Sequence, residues 1–292
     1  MKLKSAIGLA GFHQTGRRLP AVGAEIMISA APASDSHLER IQDQFGRQAP
    51  KFAQSPELHG AKMLALLVDC ARPRPNDETL DVACGPGTVV VAMARRVRRA
   101  AGLDATWPML AQARRLADKE GVRNVAWYGG DAYALPFGEG LFDVVTCRFA
   151  FHHFEHPGAA LREMMRVCKP GGVVLVCDMV ASDDSSRAEA LNTMERFRDP
   201  STVEVRPLAA LLGMFAGAGL PPPDRQFFQL PSERDEFVSR SFPVSGDRDG
   251  LRRMIDDSVA DDTMGVGARL RAGTVVFAFP SVILSAVKPR AD

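Results

Sequence analysis

The sequence predicts an α/β fold in which a doubly wound, mostly parallel sheet is covered by helices on both faces. Strand and helix patterns alternate from Thr79 to Val180, with intervening segments long enough to form crossover helices. The strands are almost continuously apolar, which is typical of burial on both faces. The 292 residues are 46% hydrophobic and 24% charged, values that exclude a disordered chain, a collagen-like repeat and a coiled coil.

Hydrophobic spacing assigns the elements in order. A first helix begins near Ser36, a candidate cap, and places Leu38, Ile41 and Phe45 on one face, and a second helix opens at Ser55. The elements that follow are strand 79–84, helix 88–97, strand 100–103, helix 108–120, strands 125–128 and 142–147, helix 157–168 and strand 173–180.

The last third of the chain is less regular. It contains helices over 186–197 and 207–218, a strand over 226–230, and a charged, helical segment over 232–262 that is predicted to be a solvated insertion rather than core. The final strand spans 274–287, and Pro280 within it favours a bulge or an edge position. Residues 1–35 lack apolar periodicity and are predicted to be an unstructured leader, with Met27 as a second candidate start.

Charge and cysteine usage limit the class of protein. Lys and Arg total 36 against 35 for Asp and Glu, so no net field draws the chain to nucleic acid or to an anionic membrane. Five cysteines without a CxxC pair disfavour a disulfide scaffold or a thiolate zinc site and favour a reducing, cytoplasmic compartment. The apolar run 173–180 is too short to span a membrane, and Asp178 interrupts it.

The segment Leu80–Thr88, LDVACGPGT, is the most informative. A strand ends there in a glycine-containing turn, and a helix begins at once. This arrangement suits a dinucleotide, a mononucleotide or another nucleoside-bearing cofactor. The dinucleotide fingerprint fails, because Val90 stands at the third glycine position after Gly85 and Gly87, and no Walker ending follows.

Three carboxylates end successive strands: Asp81, Asp104 and Asp131. Asp104 is placed to accept hydrogen bonds from a ribose diol, and Asp131 from an exocyclic amine such as adenine N6. Acidic groups in a site that lacks a phosphate-binding motif suit a cationic nucleoside without a phosphate.

Five motifs in this order resemble the class I S-adenosylmethionine-dependent methyltransferases: LDVACGPGT, GLDATWPMLAQA, GDAYALPF, FDVVTCRFAFHHF and REMMRVCKPGGVVLV. Within that class the sequence is most similar to the ubiquinone/menaquinone-biosynthesis C-methyltransferase branch. The resemblance implies S-adenosyl-L-methionine as cofactor and a Rossmann-like, seven-stranded sheet whose last strand is antiparallel. It also implies methyl transfer to the oxygen, nitrogen or carbon of a small organic acceptor, quinone-like or a specialised metabolite, by a monomer or a homodimer.

The resemblance carries roles onto residues by position. It makes 81–87 the loop beneath the methionine part of the cofactor, through Asp81, Ala83, Cys84, Gly85 and Gly87. It implies that Asp104, with the adjacent Ala105, binds the ribose, and that Met109, Asp131 and Ala132 surround the adenine. Cys147 and Arg148, after the fourth strand, face the cofactor in relatives. Two positions depart from the family pattern: Ala83 replaces a glycine, which requires a negative φ to be tolerated, and Phe52 stands where tyrosine is common.

The domain organisation follows from the same resemblance. Residues 36–292 form a single domain with a helical lid over 36–72 and a cofactor-binding core over 79–180. Substrate-side helices and the insertion occupy 183–262, and the last strand is 274–287. The lid is expected to include 183–206, where Arg196 or Arg198 either meets an acidic substrate or lies on a solvated helix end.

Three histidines follow the fourth strand in the string HHFEH, at residues 152–156. Three interpretations stay open. His153 or His152 is a general base for a hydroxyl or an acidic carbon; His152 and His156 ligate a metal; or the pair packs the loop. No metal site is expected, because relatives need none. In an extended segment His152 and His153 would point to opposite sides, so only one of them should be sensitive to replacement.

Two other functional classes fit parts of the pattern. A non-catalytic cofactor-binding or regulatory protein would keep the fold with a degenerate site, and the intact Asp81, Asp104 and Asp131 argue against it. A nicotinamide-dependent dehydrogenase would need the missing third glycine.

Overall fold

The computed structural model describes residues 25–27, 36–52 and 61–290. Within them, the strands join one sheet. Their bounds are β1 Glu25–Met27, β2 Glu78–Val82, β3 Arg99–Asp104, β4 Val125–Gly129, β5 Phe142–Arg148, β6 Cys168–Met179, β7 Asp224–Glu233, β8 Arg269–Arg271 and β9 Thr274–Val287.

The helices of the described residues alternate with these strands. They are α1 Ser36–Phe52, α2 Ala61–Ala71, α3 Thr88–Ala94, α4 Trp107–Lys119, α5 Pro157–Val167, α6 Ser185–Arg198, α7 Leu208–Gly217, α8 Arg234–Arg240 and α9 Arg248–Asp257. None of them is both long and apolar enough to cross a membrane.

The strand order is β1-β4-β3-β2-β5-β6-β9-β7, and β8 pairs with β9. Strands β1 to β6 pair in parallel, whereas β9 is antiparallel to β6, β7 and β8. The predicted seven-stranded sheet with an antiparallel last strand is therefore confirmed, and the short β1 and β8 are added to it. The chain winds from β2 outward to β4 and returns to β5 on the other side of β2. Such a reversal opens a crevice at the carboxyl ends of the two central strands, where ligands bind in open α/β sheets.

Helices cover both faces of the sheet. On one face α5 and α7 bury Leu161 and Phe215 against Leu80 and Val82 of β2. On the other face α2, α3 and α4 form a second buried cluster, to which they contribute Leu67, Val90 and Leu110. Alternate residues of a strand face opposite sides, so one apolar strand serves both layers.

Two predictions about the chain before the sheet need correction. Residues 25–27 are not unstructured, because they form β1 and pair with Trp127–Gly129 of β4. Helix α2 belongs to the layer on the sheet, where Leu67, Val68 and Ala71 are buried, and it lines no part of the cavity described below. The rest of the leader and the predicted helix start at Ser55 lie outside the described residues.

The charged segment 232–262 is not merely a solvated insertion. Helices α8 and α9 bury Phe237, Val238, Leu251 and Ile255 in a third cluster with Phe277 of β9. The buried residues of the segment 232–262 lie at helical spacing on one face of each helix. The high charge content of the segment makes this apolar face hard to detect in the sequence.

Pro280 occupies the edge-like position that the sequence predicts. It pairs with Gln229 of β7, and its carbonyl accepts the Val180 N–H at 2.8 Å, just where pairing between β6 and β9 ends at Ser281. Proline has no N–H to donate, so it is tolerated where the neighbouring strand stops.

Candidate active site

A cavity opens at the crevice between the carboxyl ends of β2 and β5, and it encloses about 1160 Å³ with its open mouth included. Helix α1 roofs it with Leu38, Ile41 and Phe45, the face that the helical spacing predicts. The predicted site residues that line this cavity are Asp81, Ala83, Cys84, Gly85, Asp104, Ala105, Met109, Asp131, Ala132, Arg148 and His153. Gly87, Cys147 and His152 are the predicted site residues that do not line it.

The Asp104 carboxylate fixes the turn after β2. One oxygen accepts the Gly85 N–H at 2.8 Å, and the other accepts the Thr106 N–H at 2.8 Å. Burial raises the pKa of Asp104, and the two amides act in the opposite direction. The Thr106 side chain also hydrogen-bonds to this carboxylate. A carboxylate has about four lone-pair sites, so about one remains for a ligand hydroxyl in the cavity.

Among the carboxyl groups of the cavity, Asp81 has the most strongly shifted pKa. Its side chain is buried and accepts the Thr146 hydroxyl at 2.6 Å. Burial raises the pKa of Asp81 to about 7, even though the Thr146 hydrogen bond and the Arg148 charge lower it. A cationic group entering the cavity would favour the ionised form, because opposite charges stabilise each other most where water is excluded.

Ala83 is strained, contrary to the expectation of a negative φ. Its φ is +53°, in the left-handed region that favours glycine. Gly85, two residues later, has φ +51° and open space where a Cβ would project. The turn thus keeps the backbone path of a glycine loop even though one glycine is replaced.

Gly87 and Cys147 have structural rather than cavity-lining positions. A Cβ on Gly87 would lie 2.7 Å from the Ala113 Cβ and 2.7 Å from the Trp127 ring, and φ is +80°. Glycine at 87 therefore lets α3 approach α4 and β4. Cys147 is fully buried in the layer with α5 and α7.

The far wall of the cavity holds the other predicted contacts. One Asp131 oxygen accepts the Tyr133 N–H at 2.9 Å, next to the buried Ala132 and Met109. The Arg148 guanidinium lies 5.1 Å from the centre of the Phe149 ring, and burial lowers the pKa of Arg148. These residues thus combine buried apolar side chains with two charged groups held at fixed positions.

The histidine string forms a short 3₁₀ turn over Phe151–His153, and not the extended segment expected. The two histidines still face different surroundings. His152 donates its backbone N–H to Asp178 at 3.0 Å, and its Nδ1 lies 2.7 Å from the other Asp178 oxygen. His153 faces the cavity and packs edge-on against Phe45, with ring centres 4.9 Å apart.

The structure does not bring His152 and His156 together as metal ligands. His156 is exposed at the start of α5, whereas His152 is buried against Asp178. Across residues 36–52 and 61–290, no group of three or more His, Cys, Asp or Glu side chains is arranged to hold a metal ion.

Polar residues behind His153 escaped the sequence analysis. Its Nδ1 lies 3.1 Å from Ser201 Oγ, and the Ser201 hydroxyl lies 2.5 Å from Asp199. Gln48 of α1 donates to the other Asp199 oxygen at 2.9 Å, and His37 Nε2 donates to the His153 carbonyl at 2.7 Å. The string Asp199-Pro200-Ser201 after a helix is a turn signal that could have pointed here.

The two arginines singled out before this turn do not face the cavity. Arg196 pairs with Glu189 on the surface. Arg198 pairs with the buried Glu195 at 2.8 Å and lies over the Phe237 ring. The structure therefore gives neither arginine a contact with an acidic substrate.

Known proteins share this architecture. Residues 80–176 match the methyltransferase domain family. The uncharacterized methyltransferase YcgJ of Bacillus subtilis is 30% identical over 246 residues, which cover 84% of this chain and 97% of that protein. The YcgJ crystal structure superposes with a TM-score of 0.71 at 29% identity, over 78% of this chain and 98% of that chain.

More distant relatives match parts of the chain. The ubiquinone/menaquinone biosynthesis C-methyltransferase UbiE of Ruegeria sp. is 35% identical over 48% of this chain and 58% of its own length. Geranyl diphosphate C-methyltransferase of Streptomyces coelicolor shares the fold, with a TM-score of 0.56 at 15% identity, over 78% of this chain and 76% of that chain. The chain belongs to the class I methyltransferases. Over part of its length it is also similar to ubiquinone/menaquinone biosynthesis C-methyltransferases and to demethylmenaquinone methyltransferases.

Proposed function

We propose that this protein transfers the methyl group of S-adenosyl-L-methionine to a small, largely apolar acceptor. The observation that carries the proposal is the convergence of Asp81, Asp104 and Asp131, from three adjacent strand ends, on one roofed cavity. The geometry supports a nucleoside with a positive charge and no phosphate, because the turn presents carboxylates where a phosphate would be repelled.

The residues present fit this cofactor. Asp104 would accept a ribose hydroxyl with its remaining lone pair, and Met109 and Ala132 would pack against the adenine. Asp81 would lie near the positively charged end. When bound, the cofactor supplies a methyl group on a cationic sulfur, which keeps the bonding electron pair and becomes a neutral thioether.

The rest of the cavity suits the acceptor. Leu38, Phe45 and Phe154 give the cavity apolar lining, and His37, Tyr133 and His153 are among its polar groups. The named activity of the ubiquinone/menaquinone relative supports a quinol-like acceptor.

The protein would accelerate the transfer mainly by positioning. Holding an acceptor in line with an activated methyl group can supply about 7–11 kcal/mol. We propose His153 as the general base where the acceptor loses a proton. Burial, and then the neighbouring His152, lower the pKa of His153 to about 3, so its contribution should lie below the roughly 10²–10⁴-fold of a base whose pKa matches the operating pH.

Calorimetric titration tests the cofactor assignment. The protein should bind S-adenosylmethionine and S-adenosylhomocysteine but not NAD. Replacing Asp104 by Ala should weaken binding tenfold or more, because charge-assisted hydrogen bonds contribute about 1.5–3 kcal/mol each. The matched control is Asp118→Ala on the exposed side of α4. Binding of NAD alone would point to a dehydrogenase, and binding without turnover of any acceptor would point to a non-catalytic protein.

A further inference from the structure

Two side chains of opposite charge line the cavity from the same face of the sheet. Asp81 of β2 pairs in register with Thr146 of β5, and the Thr146 hydroxyl donates to the Asp81 carboxylate at 2.6 Å. Arg148 follows Thr146 by two residues on β5, so its side chain leaves the strand on that same face. Two residues of a strand span about 6–7 Å, so both charges can contact one small ligand.

The Asp81 carboxylate keeps acceptor capacity for such a ligand. Asp81 is only 4% exposed, and within the part of the chain that the structure describes it accepts a hydrogen bond from Thr146 alone, through one oxygen. Buried polar groups are ordinarily hydrogen-bonded, and an unsatisfied charged one is costly. A ligand with N–H donors in the cavity would complete the hydrogen bonding of Asp81.

The Arg148 guanidinium ends beside the same space. Its Nη1 lies 3.4 Å from Oγ1 of Thr88, which also lines the cavity. Burial lowers the pKa of Arg148 and the charge of Asp81 acts in the opposite direction, but a guanidinium keeps its proton in proteins. Its five N–H donors form a planar fork that matches the two oxygens of a carboxylate.

The backbone after Arg148 is strained. Phe149 has φ +51°, an uncommon value for a bulky residue, and its N–H donates to the Cys177 carbonyl at 2.7 Å. Strain of this kind persists where the surrounding structure fixes it, and it is concentrated at functional sites. The strained turn holds the end of β5, and Arg148 with it, at the cavity.

The charge balance of the cavity gives Arg148 a particular partner. Asp81, Asp104 and Asp131 would repel a ligand carboxylate. Among the described residues that line the cavity, Arg148 is the only arginine or lysine. A ligand that carries an ammonium and a carboxylate on one carbon therefore has a partner of opposite charge for each group.

We propose that Arg148 and Asp81 together recognise the amino-acid end of the cofactor, with Arg148 binding its carboxylate and Asp81 its ammonium group. The proposal rests on the methyltransferase function proposed above, and it makes this pair the determinant of donor specificity. A nucleoside that lacks the carboxylate leaves the Arg148 fork without that partner. One that lacks the whole amino acid leaves both side chains without theirs, and unpaired buried polar groups discriminate strongly against such analogues.

Calorimetric titration with three ligands separates the two contacts. S-adenosylhomocysteine carries both groups, its decarboxylated analogue keeps only the ammonium, and methylthioadenosine has neither. Wild-type protein should bind S-adenosylhomocysteine about 10- to 100-fold more tightly than the decarboxylated analogue, the factor expected for one charge-assisted contact. Methylthioadenosine should bind more weakly still.

Matched variants assign each contact to its residue. Arg148→Gln should bind S-adenosylhomocysteine about 10- to 100-fold more weakly than wild type, with undiminished affinity for the decarboxylated analogue. Asp81→Asn should weaken both ligands that carry the ammonium and spare methylthioadenosine. Arg198→Gln is the control, because Arg198 pairs with Glu195 and does not line the cavity, so it should keep the wild-type ratios. Partial unfolding of a variant lowers the binding stoichiometry and leaves the ratio of affinities intact.

The outcomes distinguish this proposal from the function on which it rests. Equal losses for S-adenosylhomocysteine and its decarboxylated analogue in Arg148→Gln, or equal binding of the two by wild-type protein, overturn the role of Arg148. An equal loss for methylthioadenosine in Asp81→Asn overturns the role of Asp81. If wild-type protein binds none of the three ligands, the methyltransferase function itself fails.

Discussion

Replacing Ala83 by Gly should stabilise the protein, because the cofactor turn holds Ala83 at φ +53°. A left-handed conformation costs an L-residue about 1–2 kcal/mol. Glycine removes that cost but adds freedom to the unfolded chain, which costs about 0.4–1 kcal/mol. The midpoints leave a net gain of about 0.8 kcal/mol in the free energy of unfolding.

Differential scanning calorimetry can resolve this gain. For a domain of this size, a change of 1 kcal/mol moves Tm by about 2–4 °C, so Ala83→Gly should raise Tm by about 2–3 °C. Ala272→Gly is a positive control, because Ala272 has φ +49° in the exposed turn between β8 and β9. Ala105→Gly, at another cavity position, should lower Tm by a similar amount. If Ala83→Gly follows Ala105→Gly downward, the backbone strain inferred for the turn is absent.

Further predictions concern the same loop. Because burial raises the pKa of Asp81 to about 7 from 3.8, the folded state binds a proton more tightly than the unfolded chain, and the free energy of unfolding should fall as the pH rises from about 4 through 7. As the pH rises toward 7 and Asp81 ionises, S-adenosylmethionine should bind more tightly, because a cation prefers the carboxylate. Titrations of Asp81→Asn at several pH values should show both trends weakened, since the raised pKa of Asp104 remains. Gly85→Ala should cost about 0.8 kcal/mol net in urea unfolding. The backbone strain of about 1–2 kcal/mol is partly offset by the reduced freedom of the unfolded chain, and the new Cβ meets open space. Gly87→Ala should cost a further 1–3 kcal/mol or so for overpacking against Ala113 and Trp127, and equal losses from both would contradict the packing assigned to Gly87.

Much of the candidate site could be predicted because its residues sit at strand ends. In a parallel sheet the carboxyl ends of neighbouring strands share one edge, so Asp81, Asp104 and Asp131 had to converge once the strands were placed. The helix that roofs the cavity could be predicted equally well, because Leu38, Ile41 and Phe45 recur at helical spacing. Exact element ends shifted by a few residues, since fraying and capping decide them locally.

Other features depend on contacts that no local pattern encodes. Ser201 meets His153 from 48 positions away, and Gln48 meets Asp199 from 151 positions away. The same holds for Gly87, whose glycine is required by the approach of α3 to α4 and β4 and not by a ligand.

The sequence alone determined the alternating strands and helices, the edge of the sheet that binds ligand, the three carboxylates there and the apolar face of the roof. These follow from periodicity and chain direction, which are local properties. Only the tertiary structure decided the sign of φ at Ala83, the packing of α2 on the sheet, the separation of His152 from the cavity and the hydrogen-bond chain behind His153. Each of these depends on which groups from distant parts of the chain are buried together. A buried polar group must pair with whatever partner the fold places beside it.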